Sequence, residues 1–230
     1  ATETQAIEIH TDNVASVITD KGRINTEFVV NAAGPWASEI GKMVGLTIPI
    51  EPVKGQVVIT EPVPLNKKWR YIMDAAYLLP HIAPSGDSED LMMKLGIVGG
   101  WIQHKTGNWI IGSSHEVSFD KGITRQTIRC MARRAIEFMP MLKNINCIRI
   151  FAGLRPHCYV DDLPILGKVD STPGFVIATG HLGAGVTLAP ITGKLIAELI
   201  IENKTSLPIN AFAFSRFGNI DANQGFIVNQ

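Results

Sequence analysis

The 230-residue sequence lacks an excess of charge of either sign, because 21 lysine and arginine residues balance 21 aspartate and glutamate residues. Proteins that bind nucleic acid through its phosphates usually carry a basic excess, so we expect no nucleic-acid partner. Long apolar runs are also lacking. The longest, around Leu91–Ile102 and Leu195–Ile201, fall short of the ~20 residues that a bilayer span needs, so the sequence predicts no membrane span.

Metal-ligand and disulfide patterns are lacking as well. Cys130, Cys147 and Cys158 form no CxxC pair, and the six histidines form no HxxxH or HxH pair, so we expect neither a metal site nor a disulfide framework. Three scattered cysteines are typical of a reducing compartment, and we expect a cytoplasmic protein. The sequence contains no GxSxG, P-loop or kinase signature, so a hydrolase or phosphotransferase function has no local support.

What the sequence does contain is enough apolar residue to build a sizeable core: 46% of residues are hydrophobic and 18% are charged. The segment Ala1–Gln5 has neither an initiator methionine nor an apolar signal core, and alternating strand pattern begins directly after it. From this start we expect that the sequence begins partway through a larger protein.

Two short apolar runs end in small residues just before a predicted helix. The first is Glu27–Gly34, followed by a helix over Trp36–Val44, and the second is Gly174–Gly180, followed by a helix from about Thr187 to Asn203. Continuous apolar runs of this length are typical of strands buried on both faces, as in an α/β layer.

Residues 49–150, between these two runs, have a different sequence pattern: short strand candidates are separated by Pro and Gly, and one helix is predicted over Thr124–Met139. The strand candidates are Gln56–Thr60, Tyr77–Ile82, Met92–Ile102 and Trp109–Gly112. A mostly antiparallel sheet with one flanking helix is an α+β arrangement. The sequence therefore predicts an α/β plus α+β fold, with a discontinuous domain of residues 1–48 and 151–230 and an inserted domain of residues 49–150.

A glycine-rich turn, His181–Gly185, joins the second buried strand to its helix. Glycines here let backbone approach a ligand, and the helix N-terminus favours negative charge. Gly183–Leu188 gives G-x-G-x-x without the third glycine of a dinucleotide fingerprint, and no later strand carries the ribose-binding acid. Three interpretations stay open at this point: a dinucleotide site, a helix end beside a redox ring, or a tight turn that needs glycine.

Two further features are candidates for ligand contact. Arg155, in Gly153–Pro156, has the planar fork that binds a carboxylate through two hydrogen bonds, although an arginine placed after a strand is more often a surface or ion-pair residue. The small residues of Asn31–Trp36 either let a cofactor lie against a strand end or serve close helix–strand packing.

Six motifs together resemble the D-amino-acid oxidase superfamily of FAD-dependent oxidoreductases, with sarcosine oxidase β-subunits, glycine oxidase and proline or hydroxyproline dehydrogenases the most similar subgroup. Their order and approximate spacing are kept across residues 14–217. The motifs are Val29–Ala37, Pro52–Gln56, Gly107–Ser114, Ala152–Pro156, Leu163–Gly167 and Ala178–Leu195.

The resemblance implies an FAD-binding layer, incomplete in this sequence, interrupted by a substrate domain. It implies oxidation of the C–N bond of a small amino acid or secondary amine, such as glycine, sarcosine or proline, to an imine by hydride transfer to flavin. Arg155 would bind the substrate carboxylate, and a partner subunit could accept the electrons. No catalytic acid or base is assigned. The implied cofactor-binding residues are Ala33, Gly34, Trp36, Gly180, His181, Leu182, Gly183, Ala184, Gly185, Val186 and Thr187.

The sequence also departs from the family pattern. The N-terminal GxGxxG that holds the FAD pyrophosphate is absent, and Gly183 stands where glycine oxidase has a second carboxylate-binding arginine. Asp162 stands where relatives usually have Gly before Leu-Pro, and Leu182–Ala184 replaces the commoner Glu-Gly-Asp. These departures leave an alternative open: a folded but inactive fragment or partner module that does not bind FAD alone.

Overall fold

The computed structural model describes residues 3–10, 16–65, 71–75, 95–97 and 99–218. The chain divides into two compact units, one formed by Ala1–Pro52 with Arg155–Gln230 and the other by Val53–Leu154. We call them the first and second unit. The described strands, in chain order, are β1 (Ala6–His10), β2 (Ser16–Thr19), β3 (Gly22–Asn25), β4 (Val29–Asn31), β5 (Ile50–Pro62), β6 (Tyr71–Met73), β7 (Gly100–Gln103), β8 (Asn108–Gly112), β9 (Glu116–Val117), β10 (Cys147–Cys158), β11 (Ile165–Lys168) and β12 (Phe175–Thr179). The α-helices are α1 (Ala37–Lys42), α2 (Arg125–Phe138) and α3 (Gly185–Ile201).

One sheet of the first unit is three-stranded and mixed, in the order β11–β12–β4. β12 runs antiparallel to β11 and parallel to β4, with Phe175 opposite Val29 and Ile177 opposite Asn31. The side chains of Phe175, Val176 and Ile177 are fully buried. A continuous apolar run buried on both faces is what the sequence predicts for this strand, and the parallel pairing makes the sheet an α/β layer.

A second three-stranded sheet of the first unit is an antiparallel meander of β1, β2 and β3. Ile9 from β1 joins the core of the unit, which also contains Ile48, Ile50, Cys158 and Phe175. The three cysteines are free thiols, and burial raises the pKa of Cys158 to about 11, so that thiol stays protonated near neutral pH.

The sheet of the second unit is mostly antiparallel, with the strand order β10–β5–β8–β7–β6 and β9 paired with β5. The β7–β8 hairpin turns through His104–Asn108, as the sequence predicts, and Gln103 lies opposite Trp109. Trp101 and Trp109 are buried in the core of this unit. The predicted strand Tyr77–Ile82 and the first part of Met92–Ile102 lie outside the described residues.

α2 packs on this sheet through one apolar stripe. Met131 and Ala135 of α2, and Met139 directly after its end, are at most 2% exposed, while Arg125 and Arg129 face solvent. A spacing of four residues places a side chain on the same helix face at each turn. An antiparallel sheet with a flanking helix confirms the predicted α+β part of the fold.

The helical segment Leu182–Ile201 differs from the sequence expectation about apolar runs. Each uninterrupted apolar run is shorter than 20 residues, but this helical segment as a whole is 20 residues long and has a mean hydropathy of 1.5. By length and composition it is therefore long and apolar enough to cross a membrane. In the first unit, Thr192, Leu195 and Ile196 of the helix are buried and α3 packs on β11. Lys194 and Glu198 form an ion pair of 3.4 Å one turn apart on the helix.

Candidate functional site

The parallel pairing of β4 and β12 brings two separate stretches of sequence to one edge of the sheet. Both strands end at this edge, and the chain continues as Ala32–Trp36 on one side and Gly180–Thr187 on the other. The Thr179 hydroxyl donates a hydrogen bond of 3.2 Å to the Gly34 carbonyl, across 145 residues of sequence. Carboxyl ends of parallel strands are where α/β sheets bind ligands, so this edge is the candidate site.

A buried asparagine builds the first of these two segments. The Asn31 side chain, 2% exposed, donates from Nδ2 to the Ala37 carbonyl at 2.9 Å and accepts from the Ala33 N–H at 3.3 Å. It thereby ties the end of β4 to the start of α1. Asn31 is not among the site residues predicted from the sequence; its signal is a polar side chain inside an apolar strand, directly before a turn.

Both segments use left-handed backbone. Gly34 has φ +59° and a substituent at its Cα would meet nothing within 4 Å, so the space beside it is open. Gly180 has φ +86°, and a Cβ there would lie 3.2 Å from the Ile50 Cδ1 and Pro164 Cα atoms. Glycine is therefore required at position 180 by conformation and by packing.

We expect Gly180→Ala to lower the free energy of unfolding by about 1–3 kcal/mol, because it adds backbone strain and a tight contact. Gly193→Ala is the matched control: Gly193 lies inside α3 with open space around it, and alanine there is expected to stabilise by about 0.5–1 kcal/mol. Denaturant unfolding of both variants compares them. Equal stabilities would show that the conformation at position 180 carries no constraint.

His181 follows Gly180 at the start of the turn. Burial lowers the pKa of its imidazole, so the ring is neutral at neutral pH. Its Nε2 atom lies 3.0 Å from the Thr192 hydroxyl of α3, and its backbone pairs with that of His157. The turn is thus tied both to the helix that follows it and to β10.

The N-terminal end of α3 is open. A single 3₁₀ turn, Leu182–Ala184, leads into the helix, and Gly183, Ala184 and Thr187 are exposed. Val186 is 92% exposed, and no acidic residue occupies the first turn. The first N–H groups of a 17-residue helix have no intrahelical acceptor and carry partial positive charge, so this end suits a group that is or becomes negative.

Arg155 lies near the end of β10, inside the strand rather than after it, and is half-buried. It is two residues before His157, whose backbone forms the bridge with His181. Two-residue spacing on a strand places Arg155 and His157 on the same side. The structure therefore connects the predicted carboxylate-binding residue to the predicted glycine-rich turn through one short piece of backbone.

Glu51, His157 and Asp162 form a cluster in the first unit that was not predicted from the sequence. The His157 ring contacts the Glu51 and Asp162 carboxylates at 2.8 and 2.5 Å. Glu51 is 106 residues from His157 in the sequence, so no local motif points to the pairing.

Comparison with known proteins identifies relatives that match most of this chain. The chain is 33% identical over 207 residues to the hydrogen cyanide synthase subunit HcnC of Pseudomonas aeruginosa, covering 89% of this chain and 44% of that protein. It is 28% identical over 217 residues to a glycine oxidase of Geobacillus kaustophilus, covering 93% of this chain and 51% of that protein. The chain spans about half the length of the curated relatives it matches.

The chain is also similar to solved structures of an amino-acid dehydrogenase and an amino-acid oxidase. The L-proline dehydrogenase from P. horikoshii has a TM-score of 0.77 and 29% identity, covering 93% of this chain and 54% of that one. The glycine oxidase from Geobacillus kaustophilus has a TM-score of 0.76 and 25% identity, covering 95% and 53%. The model of the FAD dependent oxidoreductase family, DAO, matches residues 1–199. The resemblance given by the motifs is confirmed: the chain belongs to the DAO family of FAD-dependent oxidoreductases.

Proposed function

We propose that this chain forms part of an enzyme that oxidises the C–N bond of a small amino acid or secondary amine to an imine, with hydride transfer to FAD. The observation that carries the proposal is the joined sheet edge, where the Thr179–Gly34 hydrogen bond holds the ends of β4 and β12 together. Glycine oxidase and L-proline dehydrogenase among the similar proteins support the substrate class by their names.

The residues at this edge fit a flat, redox-active ring. Gly34 leaves open space where any other residue would place a Cβ, and Gly183, Ala184 and Val186 line an exposed, uncharged surface. Ala33, Gly34, Trp36 and the segment 180–187 would hold the flavin. FAD, when bound, supplies the hydride acceptor. The N-terminal end of α3, with no acidic side chain in its first turn, stabilises negative charge next to it.

Arg155 would bind the substrate carboxylate through its guanidinium fork and fix the orientation of the Cα–H bond. Pro156, directly after it, restricts the backbone and helps to hold that direction. An amine that arrives neutral needs little acid–base help, so we assign no catalytic acid or base. Orientation by Arg155 is then the main contribution of this chain to the reaction.

We further propose that residues 1–48 and 151–230 form the flavin-binding part and residues 49–150 the substrate-binding part. The similar protein HcnC is named as a subunit of hydrogen cyanide synthase. An electron-accepting partner subunit is therefore part of the proposal, alongside direct reaction with oxygen.

A second candidate is a folded but catalytically inactive partner module that does not bind FAD alone. The sequence contains no GxGxxG, the motif that holds the dinucleotide pyrophosphate. Purified protein that stays colourless after addition of FAD would favour this second candidate. Visible flavin absorbance that survives gel filtration would favour the first.

The open end of α3 gives a sharper test of flavin binding. We expect Val186→Asp to weaken FAD binding about tenfold or more, because a carboxylate there offsets the positive end of the helix and repels the anionic cofactor. The same change stabilises the helix, so lost folding does not explain lost binding. Ile201→Asp, at the other end of α3 and 81% exposed, is the matched control. Equal FAD dissociation constants for the two variants, measured by flavin fluorescence, would place the flavin elsewhere.

A further inference from the structure

The ring of His157 is held by carboxylates on both of its nitrogens. Nδ1 lies 2.8 Å from Glu51 Oε1, and Nε2 lies 2.5 Å from Asp162 Oδ1. Ionised carboxylates accept hydrogen bonds and cannot donate them, so both ring nitrogens must carry a proton for both contacts to be hydrogen bonds. The geometry therefore selects the charged imidazolium. Because neither nitrogen is left as a ligand, the cluster is not a metal site, and the described residues contain no three-residue metal cluster.

The cluster spans three pieces of the first unit. Glu51 comes from β5, His157 from β10, and Asp162 from the loop after β10. The Glu51 and His157 side chains are 17% and 21% exposed, whereas the Asp162 side chain is 54% exposed. The β5 side of the cluster is therefore the less screened one, and Asp162 closes it from the solvent side.

Asp162 adopts a backbone conformation that disfavours an aspartate. Its φ is +61°, in the left-handed region where glycine is the usual residue. The chain thus holds a carboxylate where the backbone alone would favour glycine. The hydrogen bond to His157 is the interaction of that carboxylate that the structure shows.

We infer that His157 is a positioning residue: clamped between Glu51 and Asp162, it fixes the end of β10 and thereby the direction in which Arg155 presents its guanidinium. We call these three residues the β10 clamp. His157 is two residues from Arg155 on the same side of the strand, and its backbone bridges His181 of the turn. The inference rests on the proposed role of Arg155 in carboxylate binding and adds the residues that hold it in place.

The clamp has a defined pH dependence. Hydrogen bonding to Glu51, opposed by burial and assisted by Asp162, raises the pKa of His157. A raised histidine pKa contributes stability that is complete below the ordinary value of about 6.5 and is lost as the pH rises through the raised value. Two titratable residues lie close to His157 along the backbone. Burial, and then Cys158 and Glu51, raise the pKa of Tyr159, which is two residues further along the chain. His181, whose backbone bridges that of His157, is neutral. The hydrogen bonds of the clamp are therefore weakened when the pH rises above the raised pKa of His157.

The decisive variant is Asp162→Gly. It removes one carboxylate and at the same time relieves the left-handed strain, so the protein is expected to keep or gain thermal stability while the clamp is lost. Acetate serves as a carboxylate probe that needs no catalysis, with its dissociation constant read from the NMR shift of the backbone amide of residue 155, which every variant retains. We expect acetate to bind about tenfold more weakly to Asp162→Gly than to the unchanged protein. The NMR titration of His157 is expected to move to lower pH.

The matched control is Asn203→Gly, which relieves a left-handed residue with φ +55° after the end of α3. We expect a similar gain in thermal stability and no change in acetate affinity. In the wild-type protein, the affinity for acetate is expected to fall as the pH rises through the titration of His157. Arg155→Lys is expected to weaken acetate binding without changing the pH at which His157 titrates.

The outcomes separate this inference from the proposed function. If Asp162→Gly bound acetate as tightly as the wild-type protein, the positioning role of His157 would be overturned. This would hold even if the wild-type protein oxidised glycine, sarcosine or proline. Weaker acetate binding in Asp162→Gly, in a protein that oxidises none of these amines, would support the clamp and count against the proposed reaction. Absence of acetate binding in the unchanged protein would overturn both the clamp and the role of Arg155.

Discussion

Replacing Arg155 with alanine in the flavin-loaded enzyme is expected to raise KM for amino-acid substrates by roughly 30-fold to several thousand-fold, which corresponds to about 2–5 kcal/mol. Arg155 is half-buried, so a carboxylate that it binds is partly removed from water. Truncating one partner of such a charge pair leaves the other charge without compensation. Steady-state kinetics with glycine, sarcosine and L-proline measure the effect.

Arg149→Ala is the matched control, since Arg149 is an exposed arginine on the same strand. It is expected to leave KM unchanged. Arg155→Lys is expected to recover only part of the binding, because a lysine ammonium is a point charge and cannot form the two parallel hydrogen bonds of a guanidinium. Unchanged KM values in Arg155→Ala for all three substrates would remove Arg155 from the substrate site.

The elements that the sequence predicted best are those whose signal is local. Gly174–Gly180 is an apolar run with glycine at its end, and it forms the fully buried β12. The predicted helix Thr124–Met139 differs from α2 by one residue at each end, because its apolar spacing follows the helical period closely. The helix predicted from about Thr187 to Asn203 begins instead at Gly185 and ends at Ile201, since the glycines of the turn do not mark its first residue.

β10 shows what local signals miss. The sequence indicates that Arg155 follows a strand, but β10 continues through Arg155 and Pro156 to Cys158. Proline usually argues against strand because it lacks an N–H donor. β10 is the edge strand of its sheet, where a missing donor is tolerated. Edge position depends on tertiary structure, so the sequence pattern could not supply it.

The site residues likewise divide into those with a local sequence signal and those that depend on tertiary structure. The segments 33–36 and 180–187 could be predicted because glycine and small residues mark the strand ends, and the parallel register then brings them together. Asn31 has local partners, Ala33 and Ala37, but a polar side chain before a turn does not specify which groups it binds. The β10 clamp was missed because its residues become neighbours only through the fold. Glu51 and His157, 106 residues apart, illustrate this most clearly.

We expect Glu116→Ala to lower the unfolding free energy of the second unit by about 3–5 kcal/mol. Glu116 lies directly opposite Lys54 in the β5–β9 pair, and its Oε2 is 3.1 Å from the Lys54 Nζ atom. Lys54 is only 4% exposed. Removing the carboxylate leaves a buried ammonium whose remaining contacts are two weaker ones of 3.5 Å, to the Gly122 carbonyl and the Thr124 hydroxyl.

The same carboxylate also satisfies neutral side chains around it. Glu116 Oε1 accepts hydrogen bonds from Gln56 Nε2 at 2.6 Å and from the Ser114 hydroxyl at 3.0 Å. Gln56 and Ser114 are fully buried, and the Gln56 Oε1 atom accepts the N–H of Thr124 directly before α2. Loss of Glu116 therefore removes the acceptor of the buried Gln56 Nε2 donor and loosens the start of the helix.

Glu137→Ala is the control for this prediction, because Glu137 pairs with Arg133 and Arg134 on the exposed surface of α2 and is expected to contribute less than about 1 kcal/mol. Native-state hydrogen exchange of the β5 and β8 amides measures each variant within the second unit, which avoids assuming that both units unfold together. Glu116→Gln, which keeps an acceptor but not the charge, is expected to fall between them. If it matched Glu116→Ala instead, the charge pair with Lys54 would account for the stabilisation and the hydrogen bonds from Gln56 and Ser114 would contribute little.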